Sequence, residues 1–279
     1  MFDARNAGLY SLIAPKDQPP SQNLLKITAT IITLNEAEHI RLACESVAWA
    51  DEIVVVDSGS SDDTREIARA CGARLIENEW PGFAAQKEFA AAQASHDWIF
   101  SLDADERVSD ELRDSILALR ELEPAQLADG YAIARRAFYM GRWIRGGGWY
   151  PDRQLRLYKK NRGRWHGPHI HESVKLDDGA RLSTLKGDIL HYTGSHAAEH
   201  HQLIGERYAP LGARQMFEAG RRTTPLAIAL VGPAAFFRSF ILQGGFRDGL
   251  AGYTIARFAA HHAFLKYSML WELQRAAKN

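Results

Sequence analysis

The chain has 279 residues, 46% of them hydrophobic, enough for one large domain or a domain with an appendage. Its formal net charge of zero hides an asymmetry, because residues 1–134 carry 11 Lys+Arg against 24 Asp+Glu and residues 135–279 carry 23 against 10. A basic half suits an anionic partner such as phosphate or a lipid surface, although two differing solvated faces would give the same count.

Residues 1–24, with Pro15, Pro19 and Pro20, read as a flexible lead-in. They lack the basic segment and apolar core of a secretory signal, so the cytoplasmic side is expected. Leu25 to Leu34 is a predicted strand, and Glu36 to Trp49 has helical spacing with Asn35 in capping position. Glu52 to Val56 is a continuous apolar run, as in a strand buried on both faces. The polar loop Asp57 to Thr64 leads into a helix through Ala70. Ala73 to Ile76 then reads as a strand, Phe83 to Ala94 as a helix, Trp98 to Leu102 as a strand and Ser109 to Leu122 as a helix. This alternation predicts an α/β fold, a Rossmann-like, mostly parallel sheet flanked by helices. Cys44 and Cys71 fall in helical patterns without metal-type spacing and read as free thiols in a reducing compartment. Beyond residue 130 the rhythm breaks. Tyr131 to Phe138 and Gln154 to Lys159 are predicted strands around a Gly- and Trp-rich loop, and the pattern is helical and increasingly apolar from Ala197.

Side chains at the ends of successive parallel strands converge on one sheet edge, where open α/β sheets bind ligands. Three such ends are polar here: Thr33-Leu-Asn35-Glu36, Asp57-Ser58-Gly-Ser60 and Asp103-Ala-Asp105. Carboxylates two residues apart at a strand end can hold a hard divalent cation, Mg2+ or Mn2+, that manages phosphate charge. Neither a Gly-rich dinucleotide loop nor a P-loop follows the first strand, so hydride transfer and P-loop hydrolysis fit poorly. Each residue alone has a plainer role: Asn35 and Asp62 as caps, Ser58 to Ser61 as a turn.

The set Thr33-Leu-Asn-Glu36, Val54-Val-Val-Asp57-Ser-Gly-Ser-Ser-Asp-Asp-Thr64, Gly82-Phe-Ala-Ala-Gln-Lys87 and Leu102-Asp-Ala-Asp-Glu106 resembles family 2 glycosyltransferases of the GT-A fold. Gln154-Leu-Arg-Leu-Tyr158 and His171-Glu172 look like the WaaE/KdtX-like β-glucosyltransferase branch, which builds lipopolysaccharide cores. The resemblance covers roughly residues 26–195 and implies inverting transfer of a sugar from a nucleoside diphosphate, with UDP-glucose the expected donor. It places Thr33, Glu36 and Asp57 at the nucleoside, with Asn35 and Ser58 beside them, and Lys87 near the nucleotide. Asp103 would lie near ribose and metal, and Asp105 on the cation. Residues 25–195 would be the catalytic domain, divided into a nucleotide-sugar half at 25–130 and an acceptor half at 131–195.

Inversion in one step needs a base for the acceptor hydroxyl. Glu172 is preferred and Asp152 is the rival; their plainer roles are ion pairs with Lys175 and with Arg153 or Arg156. Arg153 and Arg156 are candidates for the donor diphosphate or the acceptor, and His191 for completing the cation's shell. His166, His169, His171 and His191 would suit a zinc hydrolase only with a helical His-x-x-x-His pair, which is missing. Trp143, Trp149 and Tyr150 suggest a mobile lid that stacks on a sugar, or an aromatic cluster that only packs.

The run Leu226 to Phe237 is too short to span a bilayer by itself. Arg221, Arg222, Arg238, Arg247 and Arg257 lie among Phe236, Phe237, Phe240, Phe246, Tyr253 and Phe258, which suits an amphipathic segment, 196–279, on an anionic membrane. The expectation is a peripheral enzyme on the cytoplasmic face of the inner membrane acting on a lipid-linked oligosaccharide. No nucleic-acid partner is expected, and a homo-oligomer stays open. The rivals are a sugar nucleotidyltransferase and a catalytically silent membrane-bound scaffold.

Overall fold

The computed structural model describes residues 25–167, 172–193 and 197–277. The lead-in at 1–24, and His169 and His171 with it, lie outside the described residues.

The first half alternates as its sequence pattern requires. β1 (Ile27–Thr33), α1 (Ile40–Ser46), β2 (Glu52–Asp57), α2 (Thr64–Ala70), β3 (Arg74–Glu77), α3 (Phe83–Gln93) and β4 (Trp98–Asp103) follow in order. The strands pair in parallel as β3-β2-β1-β4. β1 is buried on both faces, which explains its unbroken apolar and Thr composition. Ile27, Ala29 and Ile31 pack under Ile40, Ala43, Leu112 and Ile116, while Ile32 joins Val54, Val56 and Ala90 on the other side. Register sets Thr33 opposite Asp57 and Ile32 opposite Asp103, so the polar strand ends share one edge. Cys44 is buried, and burial with the neighbouring Cys71 pushes its thiol up to about 12, so it is an inert core group.

Beyond β4 the sheet is mixed. β5 (Glu106–Val108) leaves the acidic loop, followed by α4 (Asp110–Leu117), β6 (Gly130–Tyr139), β7 (Arg142–Trp143), β8 (Asp152–Lys159), β9 (Gly163–His166), β10 (Ser173–Leu176) and β11 (Leu182–Tyr192). β8 runs antiparallel to β4 and β6, β6 parallel to β11, and β11 antiparallel to β5. Because β5 starts where β4 ends yet pairs at the far side, the sheet curls and delivers β11 to the acidic loop, with His191 opposite Glu106.

The C-terminal part is α5 (Ala197–Gln202), a π turn, α6 (Ala209–Glu218), α7 (Pro225–Phe237) and α8 (Gly249–Ala276). α7 continues through a second π turn, so the apolar helix runs from Pro225 to Leu242, 18 residues at mean hydropathy 1.7 with 11% buried. The twelve-residue run in the sequence understates it, because Arg238 and Ser239 interrupt the apolar pattern without ending the helix. By length and composition this helix suffices to cross a membrane. α7 and α8 form a hairpin whose tip docks on the loop after β7. Gly147 N–H donates to the Gln243 carbonyl at 3.0 Å, and Arg145 N–H donates to Asp248 Oδ2 at 2.9 Å. A Cβ on Gly146 would stand 2.7 Å from the Gln243 and Gly244 carbonyl oxygens, so only glycine fits there.

Candidate active site

Two loops at the carboxyl edge are stitched together by their own polar groups. Asn35 adopts a left-handed backbone (φ 55°), tolerated because its short amide bonds locally. Its N–H donates to Ser60 Oγ and its Oδ1 accepts from Ser61 N–H, both at 2.8 Å. Asn35 therefore joins the β1–α1 and β2–α2 loops, and the N-cap position of α1 falls to His39. Glu36 N–H donates to Thr64 Oγ1 at 2.8 Å. Asp57 is wholly buried and accepts from the Gly59 and Ser60 N–H groups at 3.0 and 2.9 Å and from the Ser60 hydroxyl. It shapes the turn and stays off the cavity wall. Ser58 Oγ accepts from Gln86 Nε2 at 2.9 Å, tying the same loop to α3.

Next to these loops lies a cavity of about 520 Å³, walled by Thr33, Glu36, Trp80, Phe83, Asp105 and His191, with Asp103 at its base. The Thr33 hydroxyl is buried there without a hydrogen-bond partner. Trp80 and Phe83 stand 4.7 Å apart, nearly perpendicular, and both remain exposed. Solvent-facing aromatics on a cavity wall are suited to stacking on a planar ring.

Under the cavity runs a chain of charges. Lys87, 3% exposed, sits 2.8 Å from Asp103 Oδ1 and 3.3 Å from Glu172 Oε1, its ammonium over the Trp165 ring. Arg156, 1% exposed, pairs with Glu106 at 2.9 Å and Asp103 at 3.3 Å. Glu106, fully buried, also accepts from Asp103 N–H at 3.0 Å. Arg135 spans Glu106 at 3.6 Å and Asp152 at 2.9 Å. Burial alone would push the Asp103 carboxyl up, but Lys87 and Arg156 hold it well below the usual carboxylate range. Burial works against the Arg156 cation, and Glu106 and Asp103 overcome it, so Arg156 stays charged.

Asp105 is placed differently. Its Oδ2 lies 3.0 Å from His191 Nε2, at the cavity wall. Burial disfavours the imidazolium, yet the bond to Asp105 and its charge keep the His191 pKa above the ordinary value. Burial, then the charge of Asp105, pushes the Glu36 carboxyl up. Among the described residues no three His, Cys, Asp or Glu stand together as a complete metal site. Asp105 and His191 nevertheless fit a divalent cation as a pair of donors that a shared proton now bridges, with further ligands to come from a diphosphate and water. Asp103 is committed to Lys87 and Arg156, although its buried Oδ1 has no directed hydrogen bond.

Two further cavities follow in series, the smaller one in between. The larger, about 640 Å³, is lined by Arg135, Asp152, Arg153, Arg156, Trp165 and Glu172. The smaller, about 290 Å³, is lined by Arg135, Asp152, Trp149, His191, His200 and Tyr208. Arg135 and Asp152 belong to both, and His191 links the smaller one to the first cavity. Arg153 is exposed, whereas Arg156 is inside the charge chain and positions its neighbours. Trp149 stacks on His200 at 5.5 Å and lies 5.2 Å from Tyr139, Trp143 packs against Phe138 and Tyr192, and the Tyr150 hydroxyl donates to Asp188 at 2.9 Å. The aromatic loop is thus anchored, with only Trp149 presented to a cavity among these three. His166 lies exposed on β9.

Glu106, Arg135, Trp80, Phe83 and His200 were not singled out from sequence. Glu106 and Phe83 stood inside quoted motifs, but burial and exposure gave them their roles. Arg135 and His200 come from elements whose position depends on the curl of the sheet.

A model of "Glycosyl transferase family 2" matches residues 28–176. The lipopolysaccharide core biosynthesis glycosyltransferase LpsC of Rhizobium meliloti is 32% identical over 265 residues, covering 89% of this chain and 93% of that protein. An uncharacterized glycosyltransferase of Rickettsia bellii is 33% identical over 261 residues, covering 89% and 87%. Glucosyl-3-phosphoglycerate synthase from Mycobacterium tuberculosis, solved with Mn2+ and UDP, overlaps 42% of this chain and 44% of its own at 25% identity and a TM-score of 0.33. That overlap is too partial to transfer its ligands. With a matched family over more than half its length and relatives alike along nearly all of it, the α/β chain belongs to glycosyl transferase family 2 and is a glycosyltransferase of GT-A type.

Proposed function

We propose that the protein transfers a glucose unit, with inversion, from UDP-glucose to a lipid-linked glycan of the lipopolysaccharide core type while bound to the cytoplasmic face of the inner membrane. The observation that carries this reading is a series of cavities: the pocket at the strand-end loops shares His191 with the smaller cavity, which shares Arg135 and Asp152 with the larger one. The relative in lipopolysaccharide core biosynthesis supports the acceptor class.

In this reading the nucleoside lies against Thr33 and Glu36, its base stacked on Trp80 and Phe83. Ser58, Asn35 and Asp57 hold the loops that form the pocket. Asp105 and His191 would hold a Mg2+ or Mn2+ ion, which neutralises charge on the departing diphosphate. Lys87 is ion-paired with Asp103 and Glu172 in the same region, so Asp103 serves by fixing Lys87 and Arg156. Glu172 takes the proton as the acceptor oxygen forms its bond to C1. The C1–O bond to the diphosphate breaks, and the diphosphate leaves with the electron pair. Trp149 and His200 offer a flat face for an acceptor sugar. Asp152, already bonded to Arg135 and Gln154, is the second candidate base.

The test is a panel of nucleotide sugars assayed for transfer with and without chelator, using a deacylated core oligosaccharide as acceptor. Chelator-sensitive transfer from UDP-glucose is expected. Equal turnover in chelator, or preference for another donor, would overturn the corresponding part.

A further inference from the structure

Between α7 and α8 runs a groove of about 520 Å³ lined by Ile228, Gly232 and Phe236 on one helix and Arg257, His261 and Phe264 on the other. Its walls are apolar, and Gly232 leaves the space in the middle. A Cβ there would meet Ala260 O at 3.5 Å and Phe264 Cβ at 3.8 Å, so a methyl is accommodated and a longer side chain would fill the groove. Two polar groups interrupt the lining. Arg257 is exposed and forms no ion pair or hydrogen bond among the described residues. The buried His261 Nε2 also has no hydrogen-bond partner. Beside the groove, α7 exposes Leu226, Leu230, Phe237 and Ile241, and α8 exposes Leu250 and Phe264.

Such a stripe loses least by entering the acyl boundary of a bilayer, where an arginine without a counter-ion is costly. A guanidinium binds phosphate oxygens in bidentate fashion. A phosphodiester on Arg257 would satisfy it while an acyl chain occupies the groove. We propose that the α7–α8 groove is a specific site for an anionic phospholipid of the bilayer, its phosphate on Arg257 and one acyl chain between Gly232, Phe236 and Phe264. This deepens the membrane-bound reading above and rests on it. None of the groove residues belongs to the charge chain or the donor cavity.

The test is sedimentation of the full chain with vesicles of phosphatidylcholine alone or with 30% phosphatidylglycerol (about one lipid in three), checked for unchanged melting of each variant. The parent should prefer the anionic vesicles about tenfold. Arg257→Gln and the groove-filling Gly232→Leu should each lose most of that preference yet still bind phosphatidylcholine. Arg222→Gln, outside the groove, should change it by less than about twofold. The proposal is overturned if Arg257→Gln behaves as Arg222→Gln does, which would mean diffuse attraction only. It is also overturned if the parent binds both vesicles equally, an outcome that leaves membrane binding intact. Failure of the parent to bind either vesicle would overturn the membrane reading itself, and the groove site with it.

Discussion

Asp103 and Asp105 are two residues apart and do different physical work. Asp105 looks into the cavity with His191, while Asp103 turns under it toward Lys87 and Arg156. Asp105→Ala should abolish cation-stimulated transfer, a loss of about 100-fold or more, and cost little in melting temperature, since only a partly exposed pair at the cavity wall is removed. Arg156→Met should act in the opposite way. It leaves the fully buried Glu106 with only Arg135, 3.6 Å away, and Asp103 with Lys87 alone, a change that costs roughly 3–5 kcal/mol. Thermal melting should therefore fall sharply before any kinetic effect can be read. Glu172→Gln should keep nucleotide binding, measured by calorimetry, and lose about 10²–10⁴ in transfer rate. If Asp152→Asn shows that pattern and Glu172→Gln does not, the base is Asp152. The acidic pair was legible because an apolar strand ended on it, but its division of labour was not. That depends on Glu106, whose buried carboxylate fixes Arg156 through a curl no local pattern encodes.

At the scale of elements, the parallel half was readable and the mixed half was not. β1, β2 and β4 are apolar runs between polar turns, and the helices between them carry a period the core demands. β11 hides because its first half is mostly exposed and Gly187 breaks the run, where its register against β6 shifts. Gly187 has φ +85°, and a Cβ there would stand 2.2 Å from the Leu112 nitrogen of α4. Gly187→Ala should destabilise the protein by more than 1 kcal/mol and displace β11, hence His191, from the acidic loop. Circular dichroism melts and cation-dependent activity should fall together. Glu52 supplies the contrasting case at the far end of the sheet, where it joins β1 through Thr28, β3 through Arg74 and the α3–β4 turn through Ser95. Burial disfavours its charge, but the Ser95 N–H, the Thr28 hydroxyl and Arg74 prevail and lower its pKa from 4.5 to about 2. A depressed carboxylate stabilises the fold above its unfolded value and loses that contribution as pH falls through the folded one. Chemical denaturation should show the parent losing stability between about pH 4.5 and 2 with a term that Glu52→Gln lacks, on the order of 1–3 kcal/mol.

Across the whole molecule, the charge asymmetry and the apolar tail belong to one arrangement. The acidic half holds the strand-end loops of Thr33, Asp57 and Asp105, and the basic half holds Arg135, Arg153 and Arg156 at the cavity they share with Glu172 and the arginines around α7. Sequence showed the tail's character but not its continuity, since a helix that passes through Arg238 and Ser239 in a π turn looks like two segments. Nor did it show that the tail completes the smaller cavity with His200 and Tyr208. The hairpin tip meets the catalytic domain at Asp248, wholly buried, accepting from Arg145 N–H at 2.9 Å with the Arg142 guanidinium at 3.9 Å. Replacing it leaves the Arg145 N–H without its acceptor and frees the loop that carries Trp149. Asp248→Ala should therefore raise the KM for acceptor severalfold while slow hydrolysis of the donor, which needs only the nucleotide side, keeps its KM. A structural defect spread through the domain would raise both, and a tail that serves only to reach the membrane would raise neither when the acceptor is a soluble oligosaccharide. The ratio of the two KM changes thus decides whether the helical segment is an anchor alone or a wall of the active site.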